Sequence, residues 1–396
     1  MKNILVIPFH DFKVSLRNGF ATRDAHLYEH FMQSHNINNV IIINRPTSLA
    51  ELLLRRKRVL TIKKLIYKNR FTYLQKYSSN VYIIDFFVFD FFNIIRKRHA
   101  WLPEIYSKPH IANKINNMLK YIGIEDYSIY MSSPLSVKLG INLKPKIKIL
   151  DAVDNFAKYK NWSYFHKTII ELYDIAKKEY DYIIVNSQDT FNYLNHNIKA
   201  ELVLISNGVD KELFKGKFDF PKDMPLGKKI VGYAGKMQRM FDTKLLKEIA
   251  NEHKDVNFVI LGVFLDRKWK KNNWDIDIKG LENVFYLGNK KYKELPSYYR
   301  NFDICFIPYF IANQHGGDPI KFYEYMACNK PIISTNIGNI NKYNNGESIF
   351  ICESQEDYIE KFRILINNTP QEIYHNLPNE ILWINISKFF VDKMFN

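Results

Sequence analysis

The stretch Asp318-Pro-Ile-Lys-Phe-Tyr-Glu-Tyr-Met-Ala-Cys-Asn-Lys-Pro331 holds the residues best suited to chemistry in this chain. Its pattern predicts a helix with Asp318 as N-cap and Pro319 in the first turn, where a missing N–H is harmless. Lys321, Glu324 and Tyr325 fall three and four apart, so they share one helical face. The unpaired N–H groups of a helix start attract an anion, a phosphate above all. Lys321 places a positive charge in the first turn, against the helix dipole. A cation in that position makes sense if a polyanion lies in front of it. The same spacing also describes a surface lysine and a surface glutamate on an ordinary helix. Two more cations, Lys236 and Arg239, follow a strand-like run that ends in Ala234-Gly235. Fixed cations and helix N–H groups suit a diphosphate leaving group, whose developing charge they stabilise more than the ground state. Arginine grips two oxygens in a fork, whereas lysine acts as a point charge. Glu324, one turn along, is an acceptor for a ribose diol. Nothing in this set needs a metal, and Asp275-Ile-Asp277 is read as a loop pair rather than a metal site.

Parallel sheets are what would position these residues. Asp303–Pro308 and Pro331–Thr335 read as strands flanking a polar loop, Asn313–Asp318, and the predicted helix. Lys229–Tyr233, Val256–Gly262, Val284–Leu287 and Ser348–Cys352 supply further strands. The first half repeats the plan. Lys2–Pro8 and Val40–Asn44 are strands around a polar loop, His10–Gly19, and a helical stretch, Ala21–His35. Tyr127–Met131, Ile147–Leu150 and Tyr182–Asn186 continue the sheet, with helices at Ile170–Tyr180 and Ser187–Asn195. The expected fold is α/β: two doubly wound Rossmann-like domains facing a cleft. The boundary falls at Asn207-Gly208 and the Lys-, Pro- and Gly-rich linker after it. This gives an N-terminal domain over 1–205, a second over 206–377, and a C-terminal helical segment, 378–396, packing back on the first. No Gly-x-Gly-x-x-Gly opens the chain, so a dinucleotide fingerprint is absent there. Asn18-Gly19 either brings backbone close to a ligand or makes a turn. Asp151 and Asp154 follow a predicted strand end, where open α/β sheets bind ligands; helix capping is the other reading.

The 396 residues are 46% hydrophobic and 25% charged, as in a globular protein of about two domains. Cys305, Cys328 and Cys352 show no metal spacing and read as core. The N-terminus enters a strand directly and no apolar run approaches a membrane span, so a cytoplasmic protein is expected. The net charge of +16 calls for an anionic partner. It is densest at Arg55, Arg56, Lys57, Arg58, Lys63, Lys64, Lys68 and Arg70, followed by the Phe-rich Asp85–Trp101. Basic residues beside aromatics suit an anionic membrane surface, or a solvated helix over an apolar strand; nucleic acid is the weaker fit.

The second half resembles retaining glycosyltransferases of family 4 with the GT-B fold, and among them bacterial cell-surface polysaccharide enzymes. The resemblance rests on Ile205-Ser-Asn-Gly-Val-Asp-Lys-Glu-Leu-Phe214, Gly232-Tyr-Ala-Gly-Lys236, Tyr292-Lys-Glu-Leu-Pro-Ser-Tyr298 and Pro319–Pro331, in that order. It implies metal-independent hexosyl transfer, with retention and without a cofactor. The donor would be a nucleotide-diphosphate sugar, and the acceptor a glycan or a lipid-linked glycan. The setting implied is the inner membrane face, in capsule or lipopolysaccharide synthesis. It also implies the acceptor on the first domain and the donor on the second. Glu324 would meet the ribose, and Gly235, Lys321 and Lys236 or Arg239 the diphosphate. Asp154 falls where many relatives carry a histidine that contacts the donor sugar. Relatives have a second glutamate eight positions before the ribose glutamate; here that position is Gly316, with His315 or Asp318 as substitutes. The paired-glycine loop near the N-terminus is also not intact, which leaves Asn18, Gly19, Arg23 and Asp24 as candidates for the acceptor side. Two other readings stand beside this one. A nucleotide-sugar epimerase of the same fold would need carboxylate and histidine acid/base groups. A non-catalytic partner subunit would account for Gly316.

Overall fold

The computed structural model describes residues 1–54, 60–62, 64–311, 317–370 and 373–396. They form two compact domains, Met1–Ile205 with Trp383–Asn396, and Ser206–Leu382.

In the first domain the strands are β1 (Asn3–Ile7), β2 (Asn39–Ile43), β3 (Thr47–Ser48), β4 (Leu65–Asn69), β5 (Thr72–Lys76), β6 (Val81–Val88), β7 (Ser128–Met131), β8 (Lys148–Ala152), β9 (Tyr182–Val185) and β10 (Glu201–Leu204). They make a sheet in the order β10-β9-β8-β7-β1-β2-β6-β5-β4, with β3 pairing β6. β1 pairs in parallel with both β2 and β7, so the chain leaves it toward opposite sides of the sheet. Strands covered on both faces must be apolar throughout. Ile4 to Ile7 and Val40 to Ile43 are accordingly buried. β5 joins β6, and β4 joins β5, in antiparallel fashion. Lys64, Lys68 and Arg70 of the basic stretch lie on or beside β4, which is therefore a strand and not part of a charged helix. Arg55 to Arg58 and Lys63 lie outside the described residues. The helix Trp383–Phe395 packs on Arg23–Gln33: Trp383 stacks on His26 at 4.9 Å, and Ser128 donates to the Met394 carbonyl at 2.9 Å.

The second domain has β11 (Lys229–Ala234), β12 (Val256–Leu261), β13 (Val284–Gly288), β14 (Ile304–Ile307), β15 (Ile332–Thr335) and β16 (Ile349–Cys352). All pair in parallel, in the order β13-β12-β11-β14-β15-β16. The strand order reverses between β11 and β14, the place where doubly wound sheets open a crevice. Cys305, Cys328 and Cys352 are unbridged and buried. Among the described residues, no helix is long and apolar enough to cross a membrane.

Two local readings need correction, and one open alternative takes the form of a turn. β8 runs to Ala152, so Asp151 lies inside the strand opposite Ile184 and neither caps a helix nor faces a crevice. The loop His10–Gly19 contains a helix, Phe12–Asn18. Gly19 ends it in the left-handed region, φ +79°, with its N–H on the Ser15 carbonyl at 2.9 Å, so Asn18-Gly19 makes a turn there.

Candidate functional site

The loop leaving β11 and the helix Ile320–Ala327 that follows β14 hold the cations picked out by spacing. Gly235 follows β11 and donates its N–H to Leu261 at 3.0 Å. Its carbonyl lies so close to Gly262 that a Cβ there would come within 1.8 Å of it. Gly262 also has φ +129°, so only glycine fits. A Cβ on Gly235 would fall 2.8 Å from Cε and 2.9 Å from Nζ of Lys321. The Tyr233 hydroxyl would lie 2.7 Å from the same Cβ, so the missing side chain of Gly235 is the space that Lys321 and Tyr233 fill together. The Lys321 ammonium donates to the Tyr309 hydroxyl at 2.7 Å and lies 5.1 Å and 5.0 Å from the ring centroids of Tyr233 and Tyr309. The two tyrosine hydroxyls are 2.9 Å apart. A cation over two aromatic faces is held by their quadrupoles without being neutralised. Tyr309 is its one hydrogen-bond partner among the described residues, and an ammonium has three protons to donate.

Glu324 sits one turn along the helix Ile320–Ala327 and is buried. Tyr299 donates to its Oε2 at 3.1 Å. Burial pushes the Glu324 carboxyl above its usual range, with the Tyr299 hydrogen bond and the Lys321 charge pulling the other way. A carboxylate kept out of water gains from hydroxyl donors that approach it.

The start of this helix differs from the predicted one. Pro319 is extended (φ −80°, ψ 105°) and stands ahead of the first turn, so Asp318 is one residue too early to cap it. Asp318 is instead a tie between three segments. Its Oδ2 accepts from the Asn207 N–H at 2.7 Å and the Tyr323 hydroxyl at 2.8 Å. Its Oδ1 accepts from the Asn339 N–H at 3.2 Å, and its carbonyl accepts the Asn207 side-chain amide at 2.6 Å. Gly338 makes room for it, since a Cβ there would fall 2.7 Å from Asp318 Oδ1. With its carboxylate engaged and only 6% exposed, Asp318 anchors the helix rather than standing in for the absent glutamate. His315 and Gly316 lie outside the described residues.

Lys236 and Arg239 are exposed on the loop that leaves Gly235. That loop is pinned on both sides. Met237 donates to Val263 at 2.9 Å, and Phe310 donates to Met240 at 2.8 Å. The structure therefore gathers Gly235, Lys321 and Glu324 at one end of the second sheet, with Lys236 and Arg239 on the adjoining loop. Sequence reasoning missed Tyr233, Tyr309 and Gly262. The signal available was a tyrosine or glycine beside the end of a predicted strand.

The first-domain candidates divide. The Arg23 side chain is fully buried, its Nε bonding both oxygens of Asp151 at 2.9 and 3.0 Å, so it lines no open acceptor surface. An isolated guanidinium would not remain in such a place without its carboxylate. Asp24 is likewise buried, against His10, Thr22 and Ser132. Asp154 is half-buried, its carboxylate accepting from Tyr159 and its carbonyl from Tyr173 at 3.2 Å. Asn18 is exposed at its helix end.

Residues 228–368 match the family described as glycosyl transferases group 1. The putative teichuronic acid biosynthesis glycosyltransferase TuaH of Bacillus subtilis is 28% identical over 145 residues, 35% of each chain. An uncharacterized glycosyltransferase of Methanocaldococcus jannaschii is 29% identical over 194 residues, covering 48% of this chain and 50% of that one. The chain thus spans half or less of the length of these curated relatives. Sucrose-phosphate synthase from Thermosynechococcus elongatus superposes with a TM-score of 0.65 at 15% identity, over 100% of this chain and 95% of that one. HepE of Anabaena, solved in complex with UDP, gives 0.57 at 15% identity over 100% and 96%. The expected fold and family resemblance are both borne out: residues 228–368 match the group 1 glycosyltransferases, and the chain has the GT-B fold.

Proposed function

We propose that this chain is a glycosyltransferase. It moves a hexose from a nucleotide-diphosphate sugar, held by the second domain, to a glycan or lipid-linked acceptor, held by the first. The observation that carries the reading is the Lys321 ammonium, caged by Tyr233 and Tyr309 and set against the bare backbone of Gly235. A cation placed before binding needs no reorganisation as the diphosphate takes up charge. Lys236 and Arg239 add exposed positive charge beside it, and Glu324 accepts from the ribose. Asp154 contacts the donor sugar on this reading. The reaction needs no metal or cofactor, since the cations neutralise the leaving group. Retention of configuration follows the family resemblance. A surface-polysaccharide role agrees with the teichuronic acid biosynthesis assigned to TuaH, and a nucleotide donor agrees with the UDP in the HepE structure.

The test offers UDP-, GDP- and dTDP-hexoses to the purified chain, reading released nucleotide and the anomeric configuration of any product. Turnover of at least one donor is expected. Binding without turnover would favour a non-catalytic partner subunit, isomerised donor an epimerase, and neither binding nor turnover would end the reading.

The proposed location is the inner face of the plasma membrane. Phe89, Phe92 and Ile95 are 67%, 79% and 52% exposed, and Phe71 is in edge contact with Phe89 at 4.7 Å. Arg70 and Arg96 neighbour them in sequence. Apolar rings with basic neighbours suit an anionic lipid surface. Sedimentation with vesicles rich in phosphatidylglycerol, and little with phosphatidylcholine alone, is expected. Equal recovery in the supernatant with both would remove the membrane from the proposal.

A further inference from the structure

Two phenols join the cation on the helix Ile320–Ala327 to the loop after β11. The Lys321 ammonium donates to the Tyr309 hydroxyl at 2.7 Å. The Tyr309 and Tyr233 hydroxyls are 2.9 Å apart, and Tyr233 donates to the Lys236 carbonyl at 3.3 Å. An ammonium only donates and a carbonyl only accepts, so the two ends set the direction of the chain. If Tyr233 donated to Tyr309 instead, the Tyr309 proton would have no acceptor among the described residues, and the Lys236 carbonyl would lose its donor. With Tyr309 donating to Tyr233, and Tyr233 to Lys236, every group is engaged. Burial pushes the Tyr233 phenol well above its ordinary value, so it keeps the proton that it donates. Both tyrosines are buried, where hydrogen bonds in series polarise one another. The next peptide link is held from its other side, since Met237 donates to the Val263 carbonyl at 2.9 Å. The far end of the loop is tied to the exit from β14. Asp242 donates to Pro308 and Phe310 donates to Met240, each at 2.8 Å, and Tyr309 lies between those two bonds.

We propose that Tyr309 and Tyr233 are positioning residues that make this site selective for a nucleoside diphosphate over the monophosphate. The inference rests on the transferase reading above and goes beyond it, since neither phenol needs to touch the ligand. The chain engages one N–H of Lys321 and leaves two for an anion. It also turns the Lys236 carbonyl, whose oxygen would repel an anion, toward Tyr233. The helix that bears Lys321 and the loop that bears Lys236 therefore stand in one fixed relation. A diphosphate is long enough to meet both segments at once, whereas a monophosphate meets one of them. Only the longer anion gains from having the two held in register before it arrives.

Wild type, Y309F, Y233F and the double variant are titrated by calorimetry with UDP, GDP and dTDP and with the matching monophosphates. Phenylalanine keeps the ring faces that hold the ammonium and deletes only the oxygens. Y309F is expected to weaken the preferred diphosphate about 10-fold or more and its monophosphate by less than about threefold. Y233F is expected to lower the same diphosphate-to-monophosphate ratio. The double variant should lower it by less than the product of the two single effects, because the oxygens act as one chain. Equal weakening of diphosphate and monophosphate by Y309F, or a diphosphate affinity within about twofold of wild type, overturns the proposal while the transferase reading stands. Full multiplication of the single effects also overturns it, because the phenols would then be separate contacts. Should Y233F fail to fold, the ratio measured for Y309F decides alone. A wild type that binds none of these nucleotides sinks the transferase reading, and this inference with it.

Discussion

Lys321→Met lowers affinity for the donor nucleotide about 100- to 1,000-fold and leaves thermal unfolding almost unchanged. Methionine keeps an unbranched apolar stem between the rings of Tyr233 and Tyr309, so little packing is lost. What disappears is a charge fixed by the Tyr309 hydroxyl at 2.7 Å and kept half-buried. Such a charge meets a diphosphate with less solvent screening than an exposed one. Lys236 and Arg239 make the contrast. Both are exposed on their loop, and exposed pairs are worth roughly 0–1 kcal/mol, so Lys236→Met should weaken binding far less. Gly235→Ala provides an independent check, because its new Cβ would sit 2.9 Å from the present Nζ position and push the ammonium aside. It should weaken nucleotide binding without deleting any polar atom. Titration calorimetry with UDP, GDP and dTDP measures all three variants. A K321M protein that binds its preferred nucleotide as tightly as wild type would show that the caged ammonium does not face a phosphate.

The parts of this molecule that could be read in advance were those with local causes. Parallel strands buried on both faces show as apolar runs, so β1, β2, β11, β12 and β15 were legible within a residue or two. Lys321 and Glu324 were legible because helical spacing alone puts them on one face. The failures share a different cause. Asp318 has the look of an N-cap, but its carboxylate is claimed by Asn207, which is 111 residues away along the chain. Arg23 on an amphipathic helix reads as a surface cation until Asp151, 128 residues on, is seen to bury it. The hairpin of β4 and β5 was hidden because Lys64, Lys68 and Arg70 mask a strand pattern whose inward face is short. His10 belonged to a polar loop with nothing to set it apart. Asp24, which contacts it, and Ser132, which bonds Asp24, come from the helix after that loop and from the turn after β7.

The buried ion pair gives the largest stability effect. Arg23→Met should destabilise the first domain by about 3–5 kcal/mol, because it strands Asp151 rather than because the pair itself is strongly favourable. Both side chains have zero exposure, and Tyr130 adds a hydrogen bond to Asp151 at 2.8 Å. Burial already pushes the Asp151 carboxyl above its ordinary 3.8, and Arg23 is the main opposing influence. Without Arg23 the folded-state pKa rises further, so the folded variant holds a proton that the unfolded chain releases. Stability then falls as pH rises above 3.8 and stops falling only once pH passes the folded-state value. The deficit of the variant should therefore be smaller at pH 5 than at pH 8, measured by urea unfolding at both. Removing the whole polar set should reverse most of the loss. In R23M/D151L/Y130F no buried charge or hydroxyl is stranded, and apolar packing replaces the pair. If R23M is as stable as wild type at pH 8, Asp151 has found another partner or water, and the burial argument fails. If the triple variant is no better than R23M, the loss comes from packing of the Arg23 stem and not from the stranded carboxylate.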